Sequence, residues 1–141
     1  MIMSKKNYFF YGIVLLFILA ITACNKNNET DDMRNAIVGT WKLTSMTVDG
    51  ESADRSSFPD LIQFQSSSIF QAYNTSTSVK IRGEWSYEGG MLNITSYLPA
   101  AYYITNVDGQ NLTLKRLDFN TDGSLRTTIQ QYQRTADSDI M

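Results

Sequence analysis

Between Val79 and Glu88 the chain alternates without a break, with Val79, Ile81, Gly83, Trp85 and Tyr87 on one parity and Lys80, Arg82, Glu84, Ser86 and Glu88 on the other. Successive side chains of a β-strand point to opposite faces, so this stretch reads as a strand with one face on a core and the other in water. Gly89-Gly90 follows, a pair that supplies the positive φ angles of a two-residue hairpin turn, and residues 91–97 return with Leu92 and Ile94 in phase. Comparable runs fill the rest of the chain. Residues 38–48, 61–65 and 69–73 precede it; residues 101–107 lead into Asp108-Gly109, a run around Leu112 and Leu114 leads to Asp122-Gly123, and residues 125–134 come last. No long amphipathic helix interrupts them. The pattern predicts an all-β chain of about eight antiparallel strands in up-and-down order.

The first of these strands carries a fault of phase. Trp41 and Leu43 share one parity, Met46 and Val48 the other. A strand that keeps both pairs on one face needs an extra residue between them, which predicts a β-bulge or sharp bend near Thr44-Ser45. Bends of this kind let one strand serve both halves of a closed sheet. Residues 54–59, ending in Pro59, break the alternation and are expected to cross one end of the barrel with a short helical turn.

Composition excludes more than it suggests. The chain has no His and a single Cys, so neither a Ser-His-Asp nor a Cys-His nucleophile can be built, and no His-containing zinc site, disulfide or Cys-rich metal site either. Carboxylate pairs remain available, but Asp49, Asp108 and Asp122 each precede Gly and Asp137 and Asp139 close the chain, which are turn and tail positions. Asp118, Asn120 and Asp122 have the spacing that opens an oxygen-ligand calcium loop; the distal Glu of such a loop is missing. No enzyme activity, metal or cofactor is expected. Asn74, Asn93 and Asn111 begin Asn-x-Ser/Thr triplets, which are read as chance.

The N-terminus is of another kind. Lys5 and Lys6 precede an apolar run from Tyr8 to Ile21, the layout of a secretory signal peptide and shorter than the roughly 20 apolar residues of a membrane span. The sole cysteine comes directly after it. Ile21-Thr22-Ala23-Cys24 resembles the bacterial lipobox, and the resemblance implies cleavage after Ala23 and lipid on Cys24; a plain signal or uncleaved anchor with an incidental cysteine is the alternative. Each buried acyl CH₂ contributes about 0.8 kcal/mol, so two or three chains hold a small domain at a membrane where one would not. Asn25, rather than Asp, follows the cysteine, and the acidic cluster Glu29, Asp31 and Asp32 resembles segments that route some lipoproteins to the cell surface. The implied location is the outer membrane, on its periplasmic face or at the cell surface. Residues 1–23 are then the signal peptide, 24–35 a flexible polar tether, 36–136 the barrel and 137–141 a frayed tail. Without Lys5 and Lys6, 12 basic residues become 10 against 14 acidic ones, so the mature domain is mildly acidic and carries no surface for nucleic acid.

Gly39-Thr40-Trp41 at the start of the first strand matches the Gly-x-Trp signature of lipocalins. Together with Phe64, with Gly83-Glu84-Trp85-Ser86-Tyr87 before its Gly-Gly turn, and with Tyr132-Gln133-Arg134, it resembles the small lipocalin-like domains of bacterial lipoproteins. The chain departs from that pattern in lacking the disulfide and a C-terminal helix. The resemblance implies a lipocalin-like barrel closed at one end by Gly39, Trp41 and Arg134, with the Arg134 guanidinium over the Trp41 indole. It also implies a monomer that takes a small hydrophobic or amphipathic ligand, lined by Leu43, Phe64, Ile81, Trp85, Ile94, Ile104 and Leu114. A barrel of this size is equally able to be filled by its own side chains, in which case function lies on the outer surface or with a protein partner the sequence does not name. An enzyme working with carboxylates ranks last.

Overall fold

The computed structural model describes residues 31–95 and 100–140. The segment 1–23 with its cleavage position at Ala23, the lipidation position Cys24, the first part of the tether and Tyr97 lie outside the described residues. Arg34–Met141 forms one compact unit, which carries every strand of the described residues.

Among the described residues nine strands follow one another: β1 (Gly39–Val48), β2 (Glu51–Ser52), β3 (Leu61–Phe64), β4 (Ile69–Asn74), β5 (Val79–Glu88), β6 (Met91–Ile94), β7 (Ala100–Val107), β8 (Asn111–Phe119) and β9 (Leu125–Thr135). Each pairs antiparallel with its neighbour, and β1 also pairs with β9, so the sheet closes on itself. The fold is the all-β up-and-down barrel that the alternation predicts. Eight of the nine strands form the ring, and the two-residue β2 is an appendage on the end of β1. One edge of β1 is shared, by β3 along Gly39–Lys42 and by β2 at Thr47 and Val48, while its other edge runs along β9.

The bulge lies where the parity fault put it. Leu43 pairs with Tyr132 and Ser45 with the adjacent Gln131, leaving Thr44 unpaired, so Trp41, Leu43 and Met46 are all buried. A second register shift falls between Ile104 and Asn106 where β7 meets β8. Gly89 and Gly90 have φ of 59° and 80° between the paired Glu88 and Met91, the left-handed geometry that a hairpin of right-twisted strands requires.

Three expectations need correction. Residues 53–60 contain a hydrogen-bonded turn, Phe58 N–H to Arg55 O at 3.0 Å, and no helix. The reason is the anchoring of this strap. The Asn74 amide donates to the carbonyls of Ser56 and Phe58, and Asp60 accepts from both the amide and hydroxyl of Thr75, so strap carbonyls are satisfied from β4 rather than within a helix. The tether also stops short of residue 35, since residues 31–37 are helical. Arg34 is held by the carbonyl of Ser66 and the hydroxyl of Ser68. Finally, residues 137–140 do not fray. They form a 3-10 turn, Asp137–Ile140, that buries Ile140 and hydrogen-bonds Asp137 to the buried Thr40 hydroxyl at 2.8 Å, with a further bond from Thr135 to Asp139.

Removing residues 137–141 is therefore expected to lower the unfolding free energy by roughly 1.5–3 kcal/mol, the worth of one buried aliphatic side chain. Urea denaturation measures it, and an unchanged midpoint would show that the turn contributes nothing.

Candidate functional site

The two ends of the barrel differ in chemistry. At one end Trp41, Phe64 and Trp85 are buried, with the Phe64 ring 5.3 Å from Trp85 edge-on and 5.3 Å from Phe70. Each indole also has its N–H satisfied, by Ile37 O at 2.9 Å for Trp41 and by Gln65 O at 2.8 Å for Trp85, so neither tryptophan leaves a buried donor unpaired.

Arg134 lies across this end. Its guanidinium carbon is 4.3 Å from the Trp41 ring centroid, within cation-π range. Its N–H groups donate to Gly109 O at 2.9 Å, Val38 O at 3.0 Å and Ala36 O at 3.0 Å. Gly39 makes room for it: with φ of 138° the residue sits in left-handed space, and a Cβ there would lie 2.2 Å from Arg134 Nη1. Sequence reasoning missed the second clasp of the same kind. Arg34 Cζ lies 4.5 Å from the Trp85 ring centroid. The glycines of the two Gly-x-Trp units occupy one hydrogen-bonded rung, since Gly39 pairs with Phe64, Phe64 with Phe70 and Phe70 with Gly83.

Beside this packing, with Phe70 common to both, the filling gives out. A cavity of about 70 Å³ remains, walled by Ile62, Phe70, Ala72, Ile94 and Leu114 and roofed by Phe58 and Pro59 of the strap. Its polar wall is Tyr102, Arg116, Gln130 and Tyr132. Of the residues expected to line a ligand, Ile94 and Leu114 border this cavity. Phe64 and Trp85 are consumed by packing at the closed end, where they touch each other, and Ile81 and Ile104 are half-buried outside the lining. Leu43 belongs to a separate, more open recess of about 280 Å³ shared with Lys42, Arg55, Asp60 and Asn74. Its charged, solvent-facing walls suit it poorly to an apolar molecule.

Titratable groups follow from these placements. Burial pushes the Tyr132 phenol well above its ordinary range, and the neighbouring Tyr102 adds to this while Arg116 opposes it, so Tyr132 stays a protonated donor. Hydrogen bonds from Arg126 hold the Asp118 carboxyl below its usual range. Those from Ser124 do the same for Asp122, and those from the loop amides of Gln110 and Asn111 for Asp108. Burial raises Asp60, and the Thr75 bonds outweigh it. The spacing that mimicked a calcium loop is thus used internally, Asp118 by Arg126 and Asp122 by Ser124. Among the described residues no cluster of three or more His, Cys, Asp or Glu side chains is placed to hold a metal.

A closed eight-strand antiparallel ring with a Trp-Arg clasp and a small interior cavity defines the class. The family of lipocalin-like domains matches residues 37–114, and the chain belongs to it. Among solved structures the chain is similar to a complex of bovine odorant binding protein with a selenium-containing odorant. Identity is 9% over 75% of this chain and 76% of that one, with a TM-score of 0.47. A second structure, bovine odorant binding protein with its natural ligand, matches at 9% identity over 74% and 76%, also with a TM-score of 0.47. No curated protein matches.

Arg134→Ala is expected to cost about 2–4 kcal/mol, combining the cation-π contact with stranded carbonyls. Arg134→Lys should recover less than half, because one ammonium cannot cover the ring and reach three carbonyls. A loss below about 0.5 kcal/mol in urea denaturation, the range of ordinary surface changes, would remove the clasp as a determinant of stability.

Proposed function

We propose that this protein is a lipid-anchored binding module. Lipid on Cys24, with cleavage after Ala23, holds a monomeric lipocalin-like barrel at a bacterial outer membrane, and the barrel takes a compact apolar or amphipathic molecule. The observation that carries the binding half is the cavity itself, an apolar space inside the ring beneath the 53–60 strap. Its volume limits the ligand. A water-sized site needs about 10–15 Å³ on this measure, so the enclosed part of a ligand is on the order of five to seven heavy atoms. Anchoring rests on the sequence Ile21-Thr22-Ala23-Cys24 and the apolar run before it. Binding is preferred to catalysis because a general acid needs a raised carboxyl pKa, whereas Asp60, Asp108, Asp118 and Asp122 are all lowered by hydrogen bonds that serve turns and strand pairs.

One observation favours a second reading, an interaction protein with a filled barrel. Leu117, Phe119 and Leu125 are exposed together on the outer face of the β8–β9 hairpin, Phe119 directly opposite Leu125.

Two experiments test the proposal. Cys24→Ser is expected to move the protein from the membrane to the soluble fraction and to leave the precursor uncleaved; a processed, membrane-bound mutant would overturn the anchor. For binding, 1-hexanol should shift the NMR resonances of Ile94 and Leu114 methyls in the barrel domain, and Ala72→Leu, which fills the cavity, should abolish the shift. If saturating hexanol moves neither resonances nor melting temperature, the filled-barrel reading stands.

A further inference from the structure

Among the described residues Arg116 is the one charged residue on the cavity wall, and the carboxylate beside it is shared with a second arginine. It projects from β8 on the inward parity of Leu112 and Leu114, opposite Thr128 of β9. Its Nε is buried and has no hydrogen-bond acceptor among the described residues. The nearest carboxylate oxygen, Asp118 Oδ2, is 3.7 Å away, beyond hydrogen-bonding distance. That carboxylate is already engaged. Arg126, paired with Asp118 across the ladder, grips it in bidentate fashion, Nε to Oδ1 at 2.9 Å and Nη2 to Oδ2 at 2.7 Å. Two guanidinium groups therefore share one carboxylate, and the surplus positive charge belongs to the arginine that faces the cavity.

A buried N–H of a charged group without an acceptor is costly, and the acceptor that relieves it best is an anion, since charge-assisted bonds are roughly twice as strong as neutral ones. Tyr102 and Tyr132 stand on the same wall with phenolic hydroxyls. The opposite walls, Ile62, Phe70, Ala72 and Ile94, offer an apolar body nothing to hydrogen-bond. We propose that the cavity is a site for small monocarboxylates with a short apolar tail, the carboxylate on Arg116 and the tail against Phe70, Ala72 and Ile94. The proposal rests on the binding function proposed above and specifies its ligand class. The cavity volume sets the tail at about four to six carbons, by the same water-sized measure. Arg116 is 22% exposed, so the head lies toward solvent and the tail inward, an arrangement in which the carboxylate need not be fully stripped of water.

The test compares hexanoate with 1-hexanol, which has the same tail and a neutral head, by NMR titration of the full barrel domain at neutral pH. Hexanoate is expected to bind about tenfold or more tightly than hexanol, as a charge-assisted bond provides. Arg116→Gln should bring the hexanoate-to-hexanol affinity ratio to about one, and Arg116→Lys should keep part of the preference. Melting temperatures of the variants show that the barrel is intact. Hexanol binding with no preference for hexanoate, or a preference that survives Arg116→Gln, overturns the carboxylate site and leaves the apolar binding function standing. Failure of both probes to bind overturns the two together.

Discussion

Everything in this barrel depends on the first and last strands meeting. β1 and β9 begin and end the barrel's sequence, and their pairing from Thr40–Thr135 to Val48–Thr128 is what turns an open sheet into a closed ring. Bringing such distant segments together carries a loop-closure cost that local hairpins avoid. The Arg134 clasp is placed where it offsets that cost. From β9 it covers an indole on β1, caps the carbonyls of Ala36 and Val38 just before β1, and reaches Gly109 in the β7–β8 turn, so one side chain ties four segments at the same end. A cation beside the last carbonyls of the 31–37 helix is also on the favourable side of the helix dipole. Gly39 completes the arrangement by giving up the Cβ that would occupy the position of the guanidinium.

Closure alone does not settle how β1 can face two partners along one edge and a third along the other. The bulge at Thr44 does. Before it, Trp41 and Leu43 face inward; after it, Met46 does, and the strand turns enough for β3 and then β2 to take the same edge in succession. The second Gly-x-Trp unit mirrors the first in chemistry, with Arg34 over Trp85 and the indole N–H on Gln65 O. Arg34 precedes the barrel in sequence and Arg134 ends it, so both flanks of the domain are pinned to tryptophans of the ring.

What the sequence revealed, and what it hid, follows from periodicity. Strands such as β5 were legible because two residue classes alternate for ten residues, and the bulge was legible because alternation makes a single inserted residue visible as a change of parity. Ile140 was not, since one apolar residue in a polar tail has no periodic partner to announce that it is buried. Arg34 sat in what reads as a polar tether for the same reason. The cavity was half legible. Ile94 and Leu114 are apolar on the inward parity, but so are Phe64 and Trp85, and only packing decides that the two aromatics fill space while the two aliphatics border it. Arg116 and Gln130 are inward residues of polar type, and by parity alone an inward polar residue on a half-buried strand looks like a fault rather than a wall of a site.

The cavity has an energetic side. An apolar cavity of about 70 Å³ costs on the order of 1–2 kcal/mol at the rate measured for vacated core sites. Ala72 is where that cost is set. It is buried on β4, paired with Ile62 on one side and Ile81 on the other, and a Leu on this rung would project into the space. Phe70 belongs to both regions, packing on Phe64 and bordering the cavity, and Trp41 and Trp85 pair across the sheet with the cavity-wall residues Ile62 and Ile94. Packed aromatics and empty space therefore adjoin within one short barrel. Arg116 and Gln130, polar residues that a filled core would exclude, stand on the border of this cavity rather than among the packed aromatics.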